Sequence, residues 1–384
     1  MKTKEKKYFI IYLSLSLSFF SCNTKQYQKD SFPIFLPSNI LDFNGTPSSL
    51  NDRSSLAFSD RGAWFAYGFS SEENKSLGFS GPFLMTQGHG EWSSKILSKL
   101  ELNNKATQEK IRLNNFSLSQ TSFNSHLNQI LENQELNIEQ NLFFNSPHSA
   151  IITTQVTNLS DETINLQPSW EGTTFPIGLI ITKAGNAITL TSDQTAAKGI
   201  IQTFGDDINN ITTTDSSYSF SLNDFKLKAH ETKTLIIAQT FIFPEYDAVK
   251  EQKELKLAAK MPLHRLHKRI VEKEKEFTTL NNKLDPHWQD SIYKYLVAKT
   301  ILTLQNNTRI GAGELKHRGI FPSYHYKWFL GFWAWDSWKH AAAVTHYNPE
   351  LAKDQIRAIY DFQLDNGLIV DCIYRDTTIE KHNY

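Results

Sequence analysis

The chain has 384 residues, in which 40 lysines and arginines balance 40 aspartates and glutamates. Nothing in this balance recommends a nucleic acid or an anionic membrane surface as partner, and 12 % aromatic residues within 40 % hydrophobic ones exclude a disordered chain. At roughly 100–200 residues per domain the length admits two or three domains.

The first residues read as a sorting signal. Lys2, Lys4, Lys6 and Lys7 form a basic start, and Tyr8 to Phe20 an apolar run interspersed with serines. That run is too short for a mature membrane helix, which needs about 20 residues. Ser21-Cys22 directly after it resembles a bacterial lipoprotein box, with Phe19 where such a box usually carries leucine. Cleavage would leave Cys22 as the lipidated first residue; the alternative is an ordinary signal peptide that contains a cysteine. With Cys22 acylated, Cys372 has no partner within the chain, so no disulfide framework is expected. Residues 1–21 are therefore expected to be a lipoprotein signal peptide and 22–30 a polar tether. The expected product is an exported lipoprotein anchored to a membrane through Cys22, periplasmic or at the cell surface. Asn23 in place of an aspartate favours the outer membrane.

Residues 31–243 have a β pattern. Ala150 to Asn158 alternates and is rich in β-branched side chains, and Asn158 to Thr163 supplies a turn. Further strands are expected at Ala187–Thr191, Tyr218–Leu222, Phe225–Lys228 and Thr234–Phe243. Strands between polar turns, with little helical periodicity, indicate an antiparallel β-sandwich larger than one immunoglobulin-like unit. Its early part interleaves glycine turns with aromatics, as in Asp60-Arg61-Gly62-Ala63-Trp64, Gly78 to Phe83 and Gln87-Gly88-His89-Gly90-Glu91-Trp92. Such loops either line a site or are simply tight turns. None of the spacings is a dinucleotide or P-loop fingerprint.

Residues 244–284 change character. Tyr246–Ala259 and Leu263–Leu280 are charged helical stretches interrupted by Pro262, read as a helical linker with a solvated face. Asp285 and Pro286 then read as the N-cap and first position of a helix through Trp288, Ile292, Tyr295, Leu296 and Lys299. After a loop with Glu314, His317 and Arg318, further helices are expected from Ser337 to Tyr347 and from Glu350 to Leu364. Asp365-Asn366-Gly367 ends the second of them.

Where the first of those two helices begins lies the densest chemistry. Trp328, Trp333, Trp335 and Trp338, four of the chain's eight tryptophans, surround Asp336. Indole faces with one carboxylate suit a sugar, whose C–H faces lie on the rings while paired hydroxyls donate to the acid. The opposing reading is an aromatic core in which Asp336 merely caps the helix that begins at Ser337.

Phe332-Trp333-Ala334-Trp335-Asp336-Ser337-Trp338-Lys339, Asn348-Pro349-Glu350-Leu351-Ala352 and Gly367 followed by Asp371 resemble the bacterial α-glucosidase branch of glycoside hydrolase family 63, the family of processing α-glucosidase I. Leu41 to Pro47 and Gly81-Pro82-Phe83 resemble its N-terminal domain. The resemblance implies a multi-domain β-then-α chain: an N-terminal antiparallel β-supersandwich, a helical linker and the start of an incomplete (α/α)6 barrel over residues 285–384. It implies an inverting hydrolase of α-linked glucosyl oligosaccharides, with Trp333, Trp335, Asp336 and Asp371 contacting substrate. The family's general acid and base motifs, and the calcium site of some relatives, have no match before Tyr384, so no catalytic residue, metal or other cofactor is expected in this chain. The chain alone is expected to be inactive, like a fragment. A different class of reading, a carbohydrate-binding lipoprotein without catalysis or a degenerate fragment, stands beside it. Oligomeric state, sugar and linkage are not fixed by fold-level resemblance.

Other chemistry is sparse. The twelve histidines show no zinc-ligand spacing. Arg375, Asp376 and Glu380 add charges near Asp371 on the terminal segment, and no nucleophile elbow or cysteine–histidine signature occurs.

Overall fold

The computed structural model describes residues 37–86 and 89–375. The expected signal, Cys22, the tether, Asp376 and Glu380 lie outside the described residues.

Strands β1 (Phe65–Gly68), β2 (Ser80–Leu84) and β3 (Glu91–Trp92) form a small antiparallel sheet. β4 (Lys99–Asn104) and β5 (Glu109–Lys110) begin one large sheet; β6 (Ser117–Ser122), β7 (Leu127–Glu132), β8 (Leu136–Phe144) and β9 (Ser149–Asn158) begin another. The chain then passes between them. β10 (Ile164–Thr173) returns to the first sheet, and β11 (Leu179–Ala184), β12 (Ala187–Ser192) and β13 (Lys198–Phe204) go to the second. β14 (Ile208–Thr213), β15 (Ser217–Leu222) and β16 (Phe225–Leu227) complete the first, and β17 (Thr232–Ile242) the second. The first sheet runs β14-β15-β10-β4-β5 with β16 also on β10; the second runs β11-β12-β13-β17-β9-β8-β7-β6. The expected antiparallel sandwich is thus present, with the expected strands at β9, β12, β15, β16 and β17. Asn158 makes the expected turn, accepting from Ser160 N–H (3.0 Å) and donating to the Glu162 carbonyl (2.6 Å).

The central strands of the larger sheet are apolar on both faces because each face has its own partner. Side chains alternate along a strand, so Ile152 and Val156 of β9, Leu142 and Phe144 of β8 and Ile237 of β17 enter the core between the sheets. Their neighbours Ile151, Phe143 and Ala238 point outward to a second layer. That layer is α1 (Ala248–Lys260) and α2 (Pro262–Asn281), which supply Leu255, Ala258 and Leu266. Asp247 caps α1, accepting from the Val249 and Lys250 N–H groups.

The charged run of α2 is not simply solvated. Arg269 and Lys273 fall on the same stripe as Leu266 and Phe277 and are buried with them. The reason lies far upstream: Asp60, wholly buried, accepts from Arg269 Nε (2.6 Å) and Nη2 (2.5 Å), with Lys273 Nζ at 3.8 Å. Glu276 accepts from Lys273 (2.8 Å), and Glu272 accepts from both Arg269 (2.8 Å) and Arg61 (3.0 Å). Burial would raise the Asp60 carboxyl, but the two cations and the Arg269 hydrogen bonds outweigh it and hold the acid below its ordinary range.

Helix α3 (Ser291–Asn307) starts later than Asp285-Pro286 suggests. Asp285 caps only a single 3-10 turn, and Asp290 caps the helix through the Ile292 and Tyr293 N–H groups. Its buried side is Ala298, Ile301, Leu302 and Gln305, whereas Trp288, Ile292, Tyr295 and Leu296 are exposed. Short pairs β18 (Thr308–Arg309) with β19 (Gly319–Ile320), and β20 (Phe332–Trp333) with β21 (Cys372–Ile373), frame α4 (Ala334–Val344) and α5 (Pro349–Tyr360). Asn348 caps α5 and Pro349 takes its first position. A second core joins the β-domain to this region, with Trp64, Phe83 and Trp92 packed with Phe321, Tyr324, Leu330 and Phe332.

Candidate functional site

The tryptophan stretch is a ribbon handed directly into a helix. Trp333 pairs with Cys372 across the two-stranded β20–β21 sheet, and the next N–H, of Ala334, donates to the Asp371 carbonyl at 2.8 Å. Gly331 permits this closeness: a Cβ there would lie 2.7 Å from the Tyr374 ring and 2.8 Å from Cys372 Sγ. The ribbon brings Trp333, Asp336 and Asp371 into one place, although the last is far along the chain.

Asp336 is not the N-cap. Helix α4 begins at Ala334 with Trp333 in the cap position and no side-chain cap, so Asp336 is the third residue of the helix. The Asp371 carbonyl has already taken the Ala334 N–H, and Ser337 Oγ donates to the Ala334 carbonyl (2.6 Å). Asp336 is half-buried, and among the described residues its carboxylate forms no hydrogen bond or ion pair. An acid in the first turn is favoured by the helix dipole and here keeps both oxygens available.

Trp333 adds a second unsatisfied group: its indole N–H is buried with no partner among the described residues. Buried donors are almost always paired, and this one, covered by the fold itself, has no acceptor among the described residues. One turn along α4, burial lowers the pKa of His340, opposed by the Asp336 charge and the nearby Ile320 carbonyl. The Cys372 thiol beneath the ribbon is pushed up to about 12, first by burial and further by Asp371 and Asp336. It is therefore an inert neutral side chain.

Trp335 belongs to the same turn but is not tied to the others. It is 62 % exposed and carries the Lys339 ammonium 4.6 Å from its ring centroid. Trp338 leans toward Tyr360 of α5, with centroids 6.3 Å apart. The remaining polar candidates face elsewhere. Arg318 is paired with Asp354 (2.5 Å) and His317 with Asp361 (3.4 Å), while Arg375 is buried over the Phe243 and Trp64 rings. Among the described residues no group of three or more His, Cys, Asp or Glu side chains is placed to hold a metal ion.

Two residues of the site have no signal in the sequence. His340 stands four positions after Asp336, one helical turn away. His89, in the glycine-rich loop before β3, comes from the β-domain, yet its ring centroid lies 5.3 Å from that of Trp328. The loop's glycines are legible as turns; their approach to the tryptophans is not.

Residues 43–268, from the start of the β-domain into α2, match the family model described as "Glucosidase YgjK, N-terminal". The match identifies a glucosidase-like N-terminal domain and sets the chain among carbohydrate-active, glycoside-hydrolase-like proteins. A human-microbiome protein provisionally assigned as a kojibiose phosphorylase shares the fold at TM-score 0.56 and 13 % identity, covering 80 % of this chain and 46 % of that protein. A family GH92 α-mannosidase from Bacteroides thetaiotaomicron aligns at TM-score 0.46 and 8 % identity, over 88 % of this chain and 51 % of the mannosidase. The chain spans about half the length of these solved proteins.

Proposed function

The chain belongs to the family of the glucosidase YgjK N-terminal domain, and on that premise we propose that it forms the sugar-holding wall of a glycoside hydrolase acting on α-linked glucosyl oligosaccharides. The observation that carries this reading is the half-buried carboxylate of Asp336, which forms no hydrogen bond or ion pair among the described residues and stands three positions after Trp333. Asp336 accepts two hydroxyls of the sugar, Trp333 offers its ring face, and Asp371 closes the polar side. Trp335 covers an outer C–H face. Asp336 binds and orients; proton transfer belongs to groups other than these four.

Assignment to glycoside hydrolase family 63, and with it inversion, is supported by the Phe332–Lys339 motif. Inversion needs a carboxyl pair about 6.5–9.5 Å apart with room for a water, and that pair is proposed to be supplied by other parts of the whole enzyme. The helices α3, α4 and α5 are proposed as the first of an (α/α)6 barrel, in keeping with the exposed Ile292, Leu296, Trp338 and Tyr360. The lipid anchor at Cys22 completes the proposal: an exported enzyme held at a membrane.

The 384-residue chain is expected to bind glucose-containing saccharides without hydrolysing them. Calorimetry with glucose and glucose disaccharides, alongside an assay on aryl α-glucosides, tests both halves. Sustained turnover would place the proton-transfer pair within this chain and overturn the division of labour. Absence of binding would remove the sugar wall.

A further inference from the structure

The aromatic wall does not stop at the helical region. Trp333 meets Phe329 edge-on, with centroids 5.8 Å apart at 88°, and Trp328, the residue before Phe329, meets His89 at 5.3 Å and 59°. Trp328 is 37 % exposed and Phe329 is 41 % exposed, so the row is an accessible surface rather than core. It begins at Asp336 and ends on a loop of the β-domain.

Gly90, next to His89, is held in place from both sides. Gly90 adopts φ +85°, and a Cβ there would sit 2.8 Å from the Phe83 ring and 3.4 Å from Leu330. Only glycine lets the backbone approach this closely. Arg53 donates to the Gly90 carbonyl (2.5 Å) while its guanidinium lies 4.9 Å from the Phe83 centroid. Across the seam, the His325 ring is bonded to the Ser55 carbonyl (2.9 Å), and Tyr374 O–H donates to the Trp328 carbonyl (3.1 Å). His89 and Trp328 are thus positioned by backbone that is itself anchored.

We propose that His89 is a specificity-determining residue of the same site, holding the second sugar unit of a chain against Trp328. The inference rests on the sugar-wall reading above. A ring bound at Asp336 and Trp333 leads its neighbour over Phe329 and Trp328, whose faces accept C–H groups. A nitrogen of the tilted imidazole then meets that neighbour's hydroxyls. The β-domain thereby selects for chain length, because a single sugar never reaches His89.

Calorimetric titration of the 384-residue chain tests this with glucose and with α-1,2-, α-1,3- and α-1,4-linked glucose di- and trisaccharides. In at least one series the second unit is expected to tighten binding on the order of tenfold, equivalent to about 1.4 kcal/mol. His89→Ala is expected to collapse the ratio of oligosaccharide to glucose affinity toward one, and His89→Gln, which keeps a hydrogen-bonding side chain, to restore part of it. If glucose binds but no series gains with length, the inference falls and the sugar wall stands. The inference falls equally if His89→Ala weakens glucose and trisaccharide alike, or if His89→Gln restores nothing. If not even glucose binds, both fall together.

Discussion

Two carboxylates divide this molecule. Asp60, where the β-domain meets α2, is wholly buried and has both oxygens engaged by Arg269 with Lys273 beside it. Asp336, on the aromatic wall, is half-buried and among the described residues forms no hydrogen bond or ion pair. Burial of a charge is costly unless it is paired and hydrogen-bonded, so the first acid belongs to the architecture. An acid that stays accessible on an aromatic surface has its capacity in reserve, and the second is the one proposed to meet a ligand. What surrounds each acid, more than its depth, sets the two apart.

Breaking the first side of that comparison has the largest consequence. Asp60→Asn leaves two buried cations without their counter-charge and is expected to lower unfolding free energy by about 3–5 kcal/mol in urea titration. A loss below about 1 kcal/mol, the scale of an ordinary surface pair, would mean that Glu272 and Glu276 suffice. Next comes the ribbon beneath Asp336. Gly331→Ala forces a methyl against Tyr374 and Cys372, with an expected cost of about 1–3 kcal/mol by overpacking. Saccharide binding should weaken with it, since the ribbon aligns Trp333 with Asp371.

The contrast also has a pH signature. His126, buried against Phe123 with ring centroids 4.5 Å apart, has its pKa lowered by burial to about 3. As pH falls from about 6.5, the unfolded value, toward about 3, the unfolded chain takes up a proton that the folded chain refuses. Stability therefore declines through this window, at up to roughly 1.4 kcal/mol per pH unit. Asp60, depressed in the folded state, adds its own loss as pH falls below about 4, the unfolded carboxylate value. Denaturation series across pH should show a flatter slope between these limits for His126→Gln; an unchanged slope would assign the acid sensitivity elsewhere.

The smallest effect on stability is expected at the site itself. Asp336→Asn should shift unfolding free energy by less than about 1 kcal/mol, the helix-dipole contribution. It should weaken glucose binding at least about tenfold, because hydrogen bonds to a charged group contribute roughly 1.5–3 kcal/mol. A variant that unfolds easily yet binds normally would invert the comparison.

Local structure is legible in the sequence, and long-range partnership is not. The alternation of Ala150–Asn158 is sufficient for β9, and the turn at Asn158 follows from its side chain. The burial of Arg269 and Lys273 is invisible because their counter-charge, Asp60, lies in a loop far upstream. Helix α4 starts three residues before the expected Ser337 for a similar reason: its first N–H is capped by the carbonyl of Asp371, not by a local side chain. At the site, tryptophans around one acid are legible as a motif. The arrival of His89 beside Trp328 is not, because it depends on the close packing that Gly90 permits between two regions of the chain.

The position of β17 governs the order in which the molecule can assemble. This strand, Thr232–Ile242, lies between β13 and β9, and nothing else in the sheet order joins the β6–β9 half of the larger sheet to the β11–β13 half. Until it emerges during synthesis, both halves carry an open edge, and open edges invite pairing with other chains. Closure by the last strand also makes its pairings with β9 and β13 non-local, which slows folding. Because α1 and α2 follow immediately and cover the outer face of the closed sheet, sealing and shielding of the β-domain occur within one short stretch of newly made chain.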